Sequence, residues 1–318
     1  MNRREFLKLA ATVGVSLAPS WRLYGELPTI PKTYIYKTAG GCELKADVYG
    51  SVASAKKPVI LWVHGGALIF GSRSLPPEWL NLNGDYVVVS IDYRLAPKTK
   101  LPAIIEDLQD AYRWLRERGP GLFRMDPDRV AVAGLSAGGY LTLMSGFAVK
   151  PRPKVLLALS GYGDITSSWY TRPSSFYLQR PLVSKEEAYR SVGSDCVSTP
   201  GEEDARRYKF YLYCRQQGLW PIEVAGHSQE VEPRWFDSYC PVRNVSGDYP
   251  PTVLIHGTAD TDVPFDESVN MDSKLSLFKV KHEFLRIPGG SHCLASDSQE
   301  VRTATFQKAM SFVRSEMG

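Results

Sequence analysis

The sequence predicts an α/β protein whose core is a mainly parallel sheet. From about residue 33 to 160, short β-branched runs alternate with stretches of helical periodicity, which is the pattern of repeated strand–helix–strand units. The apolar runs are continuous rather than alternating, as is typical of strands that helices cover on both faces. With 318 residues and 43% hydrophobic content, the chain can form one large core that carries an insertion.

The elements of this fold are placed in chain order. Segments 33–37 and 44–49 alternate between apolar and polar side chains and are expected to form an antiparallel edge. Between Pro102 and Arg118 apolar residues recur at helical spacing, with proline near the first turn, so a helix is predicted there. Further helices are expected from near Phe265 and from about Asp297 to Arg314. The remaining strands are predicted at Val59–Val63, Tyr86–Ile91, Arg129–Ala133, Val155–Leu159, Thr252–His256 and His282–Ile287.

The strand–helix alternation stops at residues 161–245. This stretch lacks a strong strand pattern, contains several proline and glycine breaks, and is richer in aromatic residues than the 11% of the whole chain. A structureless loop of that length is uncommon inside a compact domain. We therefore expect a helical cap at 161–245, with helices at Lys185–Val192 and Gly201–Gln217, inserted into a main domain formed by 21–160 and 246–318.

The first twenty residues have the layout of an export signal. Arg3-Arg4 precede a moderately apolar run from Leu7 to Ala18, which is too short to span a bilayer. The paired arginines resemble a twin-arginine signal, with cleavage expected after Ser20. We expect export to a bacterial periplasm or the extracellular medium; the alternative is an amphipathic N-terminal helix of a cytoplasmic enzyme.

The charge of the chain limits its expected partners, and its cysteines limit the expected disulfides. The net charge is +4 without a basic tract, so nucleic acid is not expected as a partner, nor is a stable membrane anchor. The five cysteines are scattered and include no CxxC, which does not indicate a disulfide framework. An oxidising compartment could pair two of the three between Cys196 and Cys240; the alternative is buried free thiols.

A candidate nucleophile lies where a predicted strand runs into a helix. In Gly134-Leu-Ser136-Ala-Gly138, the glycines let strand and helix approach closely, which would place Ser136 in a strained turn with its hydroxyl above the sheet. The alternative is a glycine-rich turn whose serine only caps the helix. The hydroxyl needs a base before it can act as a nucleophile.

A second glycine-rich segment, His64-Gly65-Gly66-Ala67, follows the carboxyl end of a predicted strand. Such a segment can point backbone N–H groups at one spot, as an oxyanion hole requires. The candidate donors are Gly66 and Ala67, with Gly65 in support and the N–H of Ala137 completing the set. We expect His64 to fix this loop by hydrogen bonding rather than to act as a base.

The base and its orienting acid are expected on two later loops. Of five histidines, His292 lies in a flexible Gly-Gly-Ser-His loop after the last strand, on the sheet edge where the serine loop also opens. In the chain order serine, acid, histidine, the acid must lie between Ser136 and His292. Both Asp260 and Asp262 qualify by position, because both follow the strand that comes after the cap.

These motifs together resemble the α/β-hydrolase superfamily, in particular esterases and lipases related to hormone-sensitive lipase and to prolyl-oligopeptidase-like hydrolases. The resemblance covers about residues 33–315 apart from the cap. It implies an α/β-hydrolase fold with the cap inserted before the strand that bears the triad aspartate. The motifs are His64-Gly-Gly-Ala, Asp92-Tyr-Arg-Leu-Ala-Pro97, Gly134-Leu-Ser-Ala-Gly138, His256-Gly-Thr-Ala-Asp260 and Gly290-Ser-His292.

The resemblance also separates the two aspartates. In the family pattern the first aspartate after His-Gly is the triad member, which is Asp260 here, and Asp262 is expected to be solvated or turn-stabilising. Asp92 and Arg94 are expected to form a structural network that braces the oxyanion loop. Ala67, where the hormone-sensitive-lipase-like pattern has a third glycine, and Leu135, where it commonly has an acidic residue, depart from that subfamily.

The function predicted from this set is hydrolysis of small to medium carboxylic esters through an acyl-enzyme. The triad is Ser136, His292 and Asp260, and this chemistry needs neither a metal nor an organic cofactor. Two alternatives share the motifs: a serine peptidase of the prolyl-oligopeptidase type and a non-catalytic binding protein on the same fold. The sequence carries no signal for an oligomeric state.

Overall fold

A computed structural model describes residues 30–50, 56–74, 85–201 and 204–318; the expected export signal at 1–20 lies outside these ranges. The strands are β1 (Lys32–Ala39), β2 (Cys42–Tyr49), β3 (Lys57–Val63), β4 (Val87–Ile91), β5 (Met125–Leu135), β6 (Val155–Leu159), β7 (Thr252–Gly257) and β8 (His282–Ile287). Within the described residues these eight strands form one sheet in the order β1-β2-β4-β3-β5-β6-β7-β8. The β1–β2 and β2–β4 pairs are antiparallel and the other neighbours are parallel, so the predicted antiparallel edge and mainly parallel sheet are confirmed.

Helices connect the parallel strands. They are α1 (Leu101–Phe123), α2 (Ala137–Ala148), α3 (Ser168–Thr171), α4 (Lys185–Val192), α5 (Asp204–Gln217), α6 (Trp220–Ala225), α7 (Asp266–Leu277) and α8 (Gln299–Met317). Short 3₁₀ turns lie at Tyr177–Gln179, Pro233–Tyr239, Pro241–Arg243 and His292–Leu294. None of the helices in the described ranges is long and apolar enough to cross a membrane.

The sheet is buried on both faces, which explains the continuous apolar runs. In β3, Val59 and Leu61 belong to the hydrophobic cluster that also contains residues of α1 and α2. The intervening Ile60 and Trp62 point to the opposite cluster, which includes Phe306 and other residues of α8. Because successive side chains of a strand alternate between faces, a strand covered on both sides needs apolar residues throughout. The predicted α/β-hydrolase fold class is confirmed.

Residues 161–245, called the cap segment below, run from β6 to β7 and contain α3 to α6. The predicted helix at Lys185–Val192 has the observed bounds of α4, and Ser184 caps it by accepting a hydrogen bond from the Glu187 backbone N–H at 3.1 Å. The helix predicted from Gly201 is described from Asp204 onward. Buried aromatic side chains, among them Phe210 and Trp220, fill the interior of this segment.

The one disulfide among the described residues joins Cys42 to Cys196, which are 154 positions apart. The possible pairing of two of the three cysteines between Cys196 and Cys240 is therefore not the one observed, and the buried free thiols given as the other possibility are found at Cys214 and Cys240. Cys196 lies against the β1–β2 turn, where a Cβ added at Gly40 would be 3.6 Å from its sulfur. The bond ties the cap segment to the first residue of β2, a long-range contact that chain spacing does not reveal.

Candidate active site

The candidate site residues all follow the carboxyl ends of parallel strands. Residues 64–71, called the oxyanion loop below, follow β3, and Ser136 follows β5. Asp260 follows β7 and His292 follows β8. In an open α/β sheet these ends share one edge, where ligands bind. The fold therefore brings four segments that are distant in sequence to the same side of the molecule.

Ser136 occupies the strained turn that its flanking glycines predict. Its φ of 54° and ψ of −119° lie in a region that non-glycine residues rarely adopt. A Cβ at Gly134 would lie 2.5 Å from the Gly138 carbonyl oxygen, and one at Gly138 would lie 2.0 Å from the Val63 carbonyl oxygen. The turn is thus compatible only with glycine at both positions. The Ser136 backbone N–H donates to Leu159 O at 2.8 Å, which fixes the turn against β6.

The oxyanion loop packs directly against this serine. A Cβ added at Gly65 would lie 3.0 Å from the Leu135 carbonyl oxygen and 3.3 Å from the Ser136 Cβ, so the loop passes Ser136 at close range. Gly66 and Ala67 both have positive φ, at 102° and 55°. Ala137 is the first residue of α2, where backbone N–H groups lack partners within the helix and are free to bind an oxygen.

His64 holds the loop from within. Its Nδ1 lies 2.7 Å from Gly65 O, and its ring stacks on Tyr93 with centroids 4.2 Å apart. The Tyr93 hydroxyl donates to His64 O at 3.0 Å. Burial lowers the pKa of His64, which keeps the ring neutral near pH 7. These contacts agree with the expected loop-fixing role.

The structure pairs His292 with Asp260. His292 Nδ1 lies 2.7 Å from Asp260 Oδ2, and the Asp260 side chain is fully buried. The other oxygen, Oδ1, accepts the backbone N–H groups of Asp262 at 2.8 Å and Val263 at 2.9 Å. The carboxylate is therefore held in one orientation, with Oδ2 directed at the imidazole.

A second imidazole on Asp260 was not anticipated from the sequence. His256 Nε2 lies 3.1 Å from Asp260 Oδ2, while its Nδ1 lies 2.7 Å from Ser268 Oγ. The His-Gly-Thr-Ala-Asp spacing predicted only a turn-shaping histidine. Since His256 is the penultimate residue of β7 and Asp260 lies in the turn that follows, the spacing of four residues was the available signal.

Opposite charges stabilise the ionised forms of this pair. Burial is the largest single influence on the pKa of each group and opposes its ionisation, but the surrounding charges and hydrogen bonds together outweigh burial. These interactions raise the pKa of His292 well above its ordinary 6.5, with Asp260 the main contributor and Cys293 and Asp262 adding to it. The pKa of Asp260 is lowered, because His292 and His256 both stabilise its anion.

Asp262 is not the solvated side chain expected from its position in the motif. It forms a nearly buried ion pair with Arg215, whose Nη1 lies 2.6 Å from Asp262 Oδ1. The hydroxyls of Tyr177 and Tyr211 donate to the same oxygen. Its Oδ2 lies 3.5 Å from Nε2 of His292, on the ring nitrogen opposite Asp260. The solvated interpretation is wrong: Asp262 is a second carboxylate facing the imidazole.

Ser136 and His292 follow the carboxyl ends of two parallel strands, β5 and β8, at the same edge of the sheet. Among the hydrogen bonds of the described residues, none joins Ser136 Oγ to His292. Such bonds are often long before substrate binds and shorten in the complex.

In the same described ranges, no group of three or more His, Cys, Asp or Glu side chains is arranged to hold a metal ion.

The Asp92-to-Pro97 motif braces the site differently from the expectation. Asp92 accepts from the Arg73 backbone N–H at 2.9 Å, whereas Arg94 forms an ion pair with Asp107 of α1 at 2.7 Å. Ala96 N–H donates to Leu68 O at 2.8 Å, within the oxyanion loop. The expected joint Asp92–Arg94 network is therefore two separate networks, and a backbone contact of this motif supports the loop.

Comparison with known proteins agrees with this architecture. The chain is 35% identical to the non-reducing polyketide synthase pkbA of Emericella nidulans over 84% of its own length, and it spans only 13% of that much longer relative. The carboxylesterase EstE1, cloned from a metagenomic library, has a similar structure, with a TM-score of 0.65 and 22% identity over 99% of this chain and 96% of that one. A bacterial heroin esterase matches with a TM-score of 0.67 and 19% identity over 99% of this chain and 91% of that one. These structural matches establish a shared fold.

A family model described as "alpha/beta hydrolase fold" matches residues 60–296, which include all four loops of the candidate site. On this match and the observed sheet, the chain belongs to the α/β-hydrolase family.

Proposed function

We propose that the protein is a serine carboxylic-ester hydrolase that acts on small to medium esters through an acyl-enzyme. The observation that carries this proposal is the buried 2.7 Å contact between His292 Nδ1 and Asp260 on the edge where Ser136 stands in its strained turn. A histidine oriented by a carboxylate, at the same edge of the sheet as a serine, is the arrangement that activates a hydroxyl for acyl transfer.

In the proposed mechanism, Ser136 Oγ attacks the ester carbonyl carbon as His292 Nε2 takes the hydroxyl proton. The carbonyl oxygen becomes an oxyanion, which the N–H groups of Gly66, Ala67 and Ala137 bind, with Gly65 in support. Each such donor stabilises the transition state by about 3 kcal/mol. The tetrahedral intermediate collapses as the imidazolium returns its proton to the leaving alcohol.

A water molecule then reacts with the acyl-enzyme by the same route. His292 takes one proton from the water as its oxygen attacks the acyl carbon, and the Ser136 oxygen leaves with that proton. Asp260 keeps the imidazole in the tautomer with hydrogen on Nδ1 and stabilises its cation in both halves. Acid and alcohol are released and the enzyme is regenerated.

Two proteins of similar structure are a carboxylesterase and a heroin esterase, which supports an ester as the substrate class. The curated relatives found by sequence are polyketide synthases, of which this chain spans about an eighth. Fold similarity does not define a substrate. We therefore base the proposal on the site geometry and leave the acyl and alcohol groups to direct assay.

The direct test is covalent labelling with a fluorophosphonate followed by peptide mass spectrometry, alongside hydrolysis of p-nitrophenyl acyl esters and an Xaa-Pro amide. Labelling confined to Ser136, with ester hydrolysis faster than amide hydrolysis, supports the proposal. Faster cleavage of the amide favours the prolyl-oligopeptidase-like alternative. Absence of labelling in a folded protein favours a binding protein on this fold.

The pH profile of the enzyme is expected to reflect the two carboxylates that face His292. The base must be neutral to accept the Ser136 proton, so activity falls as pH decreases through the pKa of His292. Asp260, Cys293 and Asp262 raise this pKa above 6.5. The acid limb of kcat/KM is therefore expected above pH 6.5.

Asp262→Asn tests the second carboxylate. Removing the negative charge 3.5 Å from Nε2 is expected to shift the acid limb to lower pH. Asp272→Asn is the matched control, because Asp272 faces the imidazole of His282 at 3.1 Å outside the site. An acid limb at or below 6.5, or the same shift in both variants, would contradict this assignment.

We also propose that the protein is exported by the twin-arginine route. The Arg3-Arg4 signal motivates this, and the Cys42–Cys196 disulfide is a bond that persists in oxidising compartments. In a bacterial host, replacing both arginines with lysine is expected to retain the protein in the cytoplasm, measured by cell fractionation. Unchanged export of this variant would contradict the twin-arginine route.

A further inference from the structure

The oxyanion loop has a backbone conformation that its own residues disfavour. Gly66, Ala67 and Leu68 have successive positive φ values of 102°, 55° and 62°. For the two non-glycine residues this left-handed conformation brings the Cβ close to the following carbonyl oxygen. Such strain persists only where the surrounding structure holds it. The groups that hold this loop therefore determine where its N–H groups point.

Part of the support is internal to the main domain. The N–H groups of Ile69 and Phe70 both donate to Gly66 O at 2.9 Å. Because a peptide unit is planar and trans, this turn directs the N–H of Ala67 to the opposite side from Gly66 O. The next peptide, which begins with the Ala67 carbonyl, is the central peptide of this turn, and its oxygen takes no part in the hydrogen bonds that close the turn, so it needs a separate partner.

The cap segment supplies that partner and two others. Trp220, the first residue of α6, donates its indole N–H to Ala67 O at 2.9 Å. Arg207 of α5 donates from Nε to Ile69 O at 2.6 Å. Asp204, the first residue of α5, accepts the Gly71 backbone N–H at 2.5 Å. Every second residue from 67 to 71 is thus bound by a side chain of the cap segment.

Burial makes these contacts strong constraints. Trp220 and Arg207 are 0% and 1% exposed. Arg207 also donates to Ala96 O at 2.6 Å and to Val192 O at 3.0 Å, so its guanidinium joins the loop to two other segments. A buried backbone carbonyl that loses its donor keeps the cost of desolvation without compensation. The loop is therefore expected to move when a cap donor is removed.

We propose that Trp220, Arg207 and Asp204 are positioning residues of the reaction, which hold the oxyanion loop in the conformation that presents its N–H groups to the oxyanion. The cap segment is then part of the catalytic framework. This inference rests on the proposed ester hydrolysis for its kinetic consequence, while the loop conformation itself does not depend on the reaction.

Trp220→Phe is the sharpest test, because it removes the N–H donor and keeps an aromatic ring. The Trp220 ring stacks on Tyr170 with centroids 4.1 Å apart, and phenylalanine preserves most of this contact. We expect kcat for a p-nitrophenyl ester to fall by about ten- to hundredfold with little change in KM, as for a small displacement of catalytic groups. The Ki of a trifluoromethyl ketone, which forms a tetrahedral adduct with the serine, is expected to rise in parallel.

Trp169→Phe is the matched control. Trp169 stacks on the other side of the same cluster, with its ring centroid 3.5 Å from that of Tyr170. Its indole N–H donates to Glu267 at 3.0 Å and does not contact the oxyanion loop. This variant loses a partly buried indole hydrogen bond in the same segment, so a general loss of stability would affect both variants. We expect its kcat to remain close to that of the wild type.

Hydrogen–deuterium exchange provides a readout that needs no activity. In Trp220→Phe, the backbone amides of residues 64–71 are expected to exchange faster than in the wild type and in Trp169→Phe. Asp204→Ala, which releases the Gly71 N–H, serves as a second variant if Trp220→Phe does not fold. Unchanged exchange together with wild-type kcat in the folded variant would overturn the inference.

The proposed ester hydrolysis and the positioning role of the cap residues can be disproved separately. If the wild type shows no Ser136-dependent ester hydrolysis, the proposed function fails, and exchange in the loop still tests the positioning role. If hydrolysis depends on Ser136 but Trp220→Phe and Trp169→Phe have equal kcat and equal loop exchange, the positioning role alone is wrong.

Discussion

Replacing Ser136 with alanine is expected to lower kcat for p-nitrophenyl esters by roughly 10⁴- to 10⁶-fold, the range seen when a triad nucleophile is removed. Without Oγ no acyl-enzyme can form, and His292 can only assist direct attack by water. The oxyanion donors remain, so a small residual rate above that of the uncatalysed reaction is expected. The measurement is kcat and KM on a short acyl ester, with the fold checked by circular dichroism.

Ser145→Ala is the matched control for this prediction. Ser145 is a buried serine of α2, the helix that Ser136 precedes, and its hydroxyl donates to Thr142 O at 2.6 Å within the helix. It lies outside the candidate site, so its removal is expected to leave kcat near the wild-type value. Hydrolysis by Ser136→Ala at the wild-type rate would show that Ser136 is not the nucleophile.

Asp260→Asn is expected to have the second largest effect, a loss of about 10⁴-fold in kcat. The amide can present an N–H to His292 Nδ1, which then accepts, so the proton moves to Nε2 and the ring can no longer take the Ser136 proton. The neutral amide also fails to stabilise the imidazolium. Because asparagine has nearly the size of aspartate, the buried loop is expected to keep its shape.

Asp262→Asn, two residues away, distinguishes the two candidate acids. Asp260 contacts Nδ1 at 2.7 Å, whereas Asp262 faces Nε2 at 3.5 Å and is held by Arg215. We expect Asp262→Asn to retain most of kcat above the acid limb while shifting that limb. If instead Asp262→Asn lost as much activity as Asp260→Asn, Asp262 would share the orienting role. A full loss in Asp262→Asn alone would transfer that role to it.

Much of the main domain follows from local sequence signals. Continuous apolar runs identified the inner strands, because helices cover both faces of the sheet and both faces therefore need apolar side chains. Val59 and its neighbour Ile60 illustrate this, since they belong to hydrophobic clusters on opposite faces. The α4 boundaries agree with the helix predicted at Lys185–Val192, and the structure adds the local reason that Ser184 caps its first turn. The paired glycines around Ser136 indicated a close strand–helix approach, and the contacts at Gly134 and Gly138 give its reason.

Contacts between distant segments did not follow from such signals. The Cys42–Cys196 bond was not anticipated because it depends on how the cap segment packs against β2. The Asp262–Arg215 pair joins residues from the cap segment and the β7 loop, and the motif alone suggested a solvated side chain. The Trp220 and Arg207 contacts with the oxyanion loop likewise join residues more than a hundred positions apart.

The sequence by itself determined the order of strands and loops, and with it the residues that gather at one edge of the sheet: Ser136, Asp260, His292 and the glycines of the oxyanion loop. Periodicity and glycine spacing encode these features because they arise from interactions between near neighbours in the chain. The family resemblance had already assigned Asp260 to the triad, and only the tertiary structure showed that Asp262 faces the other nitrogen of His292 and which cap side chains bind the oxyanion loop. Those contacts depend on how the aromatic cap segment packs against the rest of the protein. Its irregular structure produces no periodic pattern in the sequence from which the contacts could be predicted.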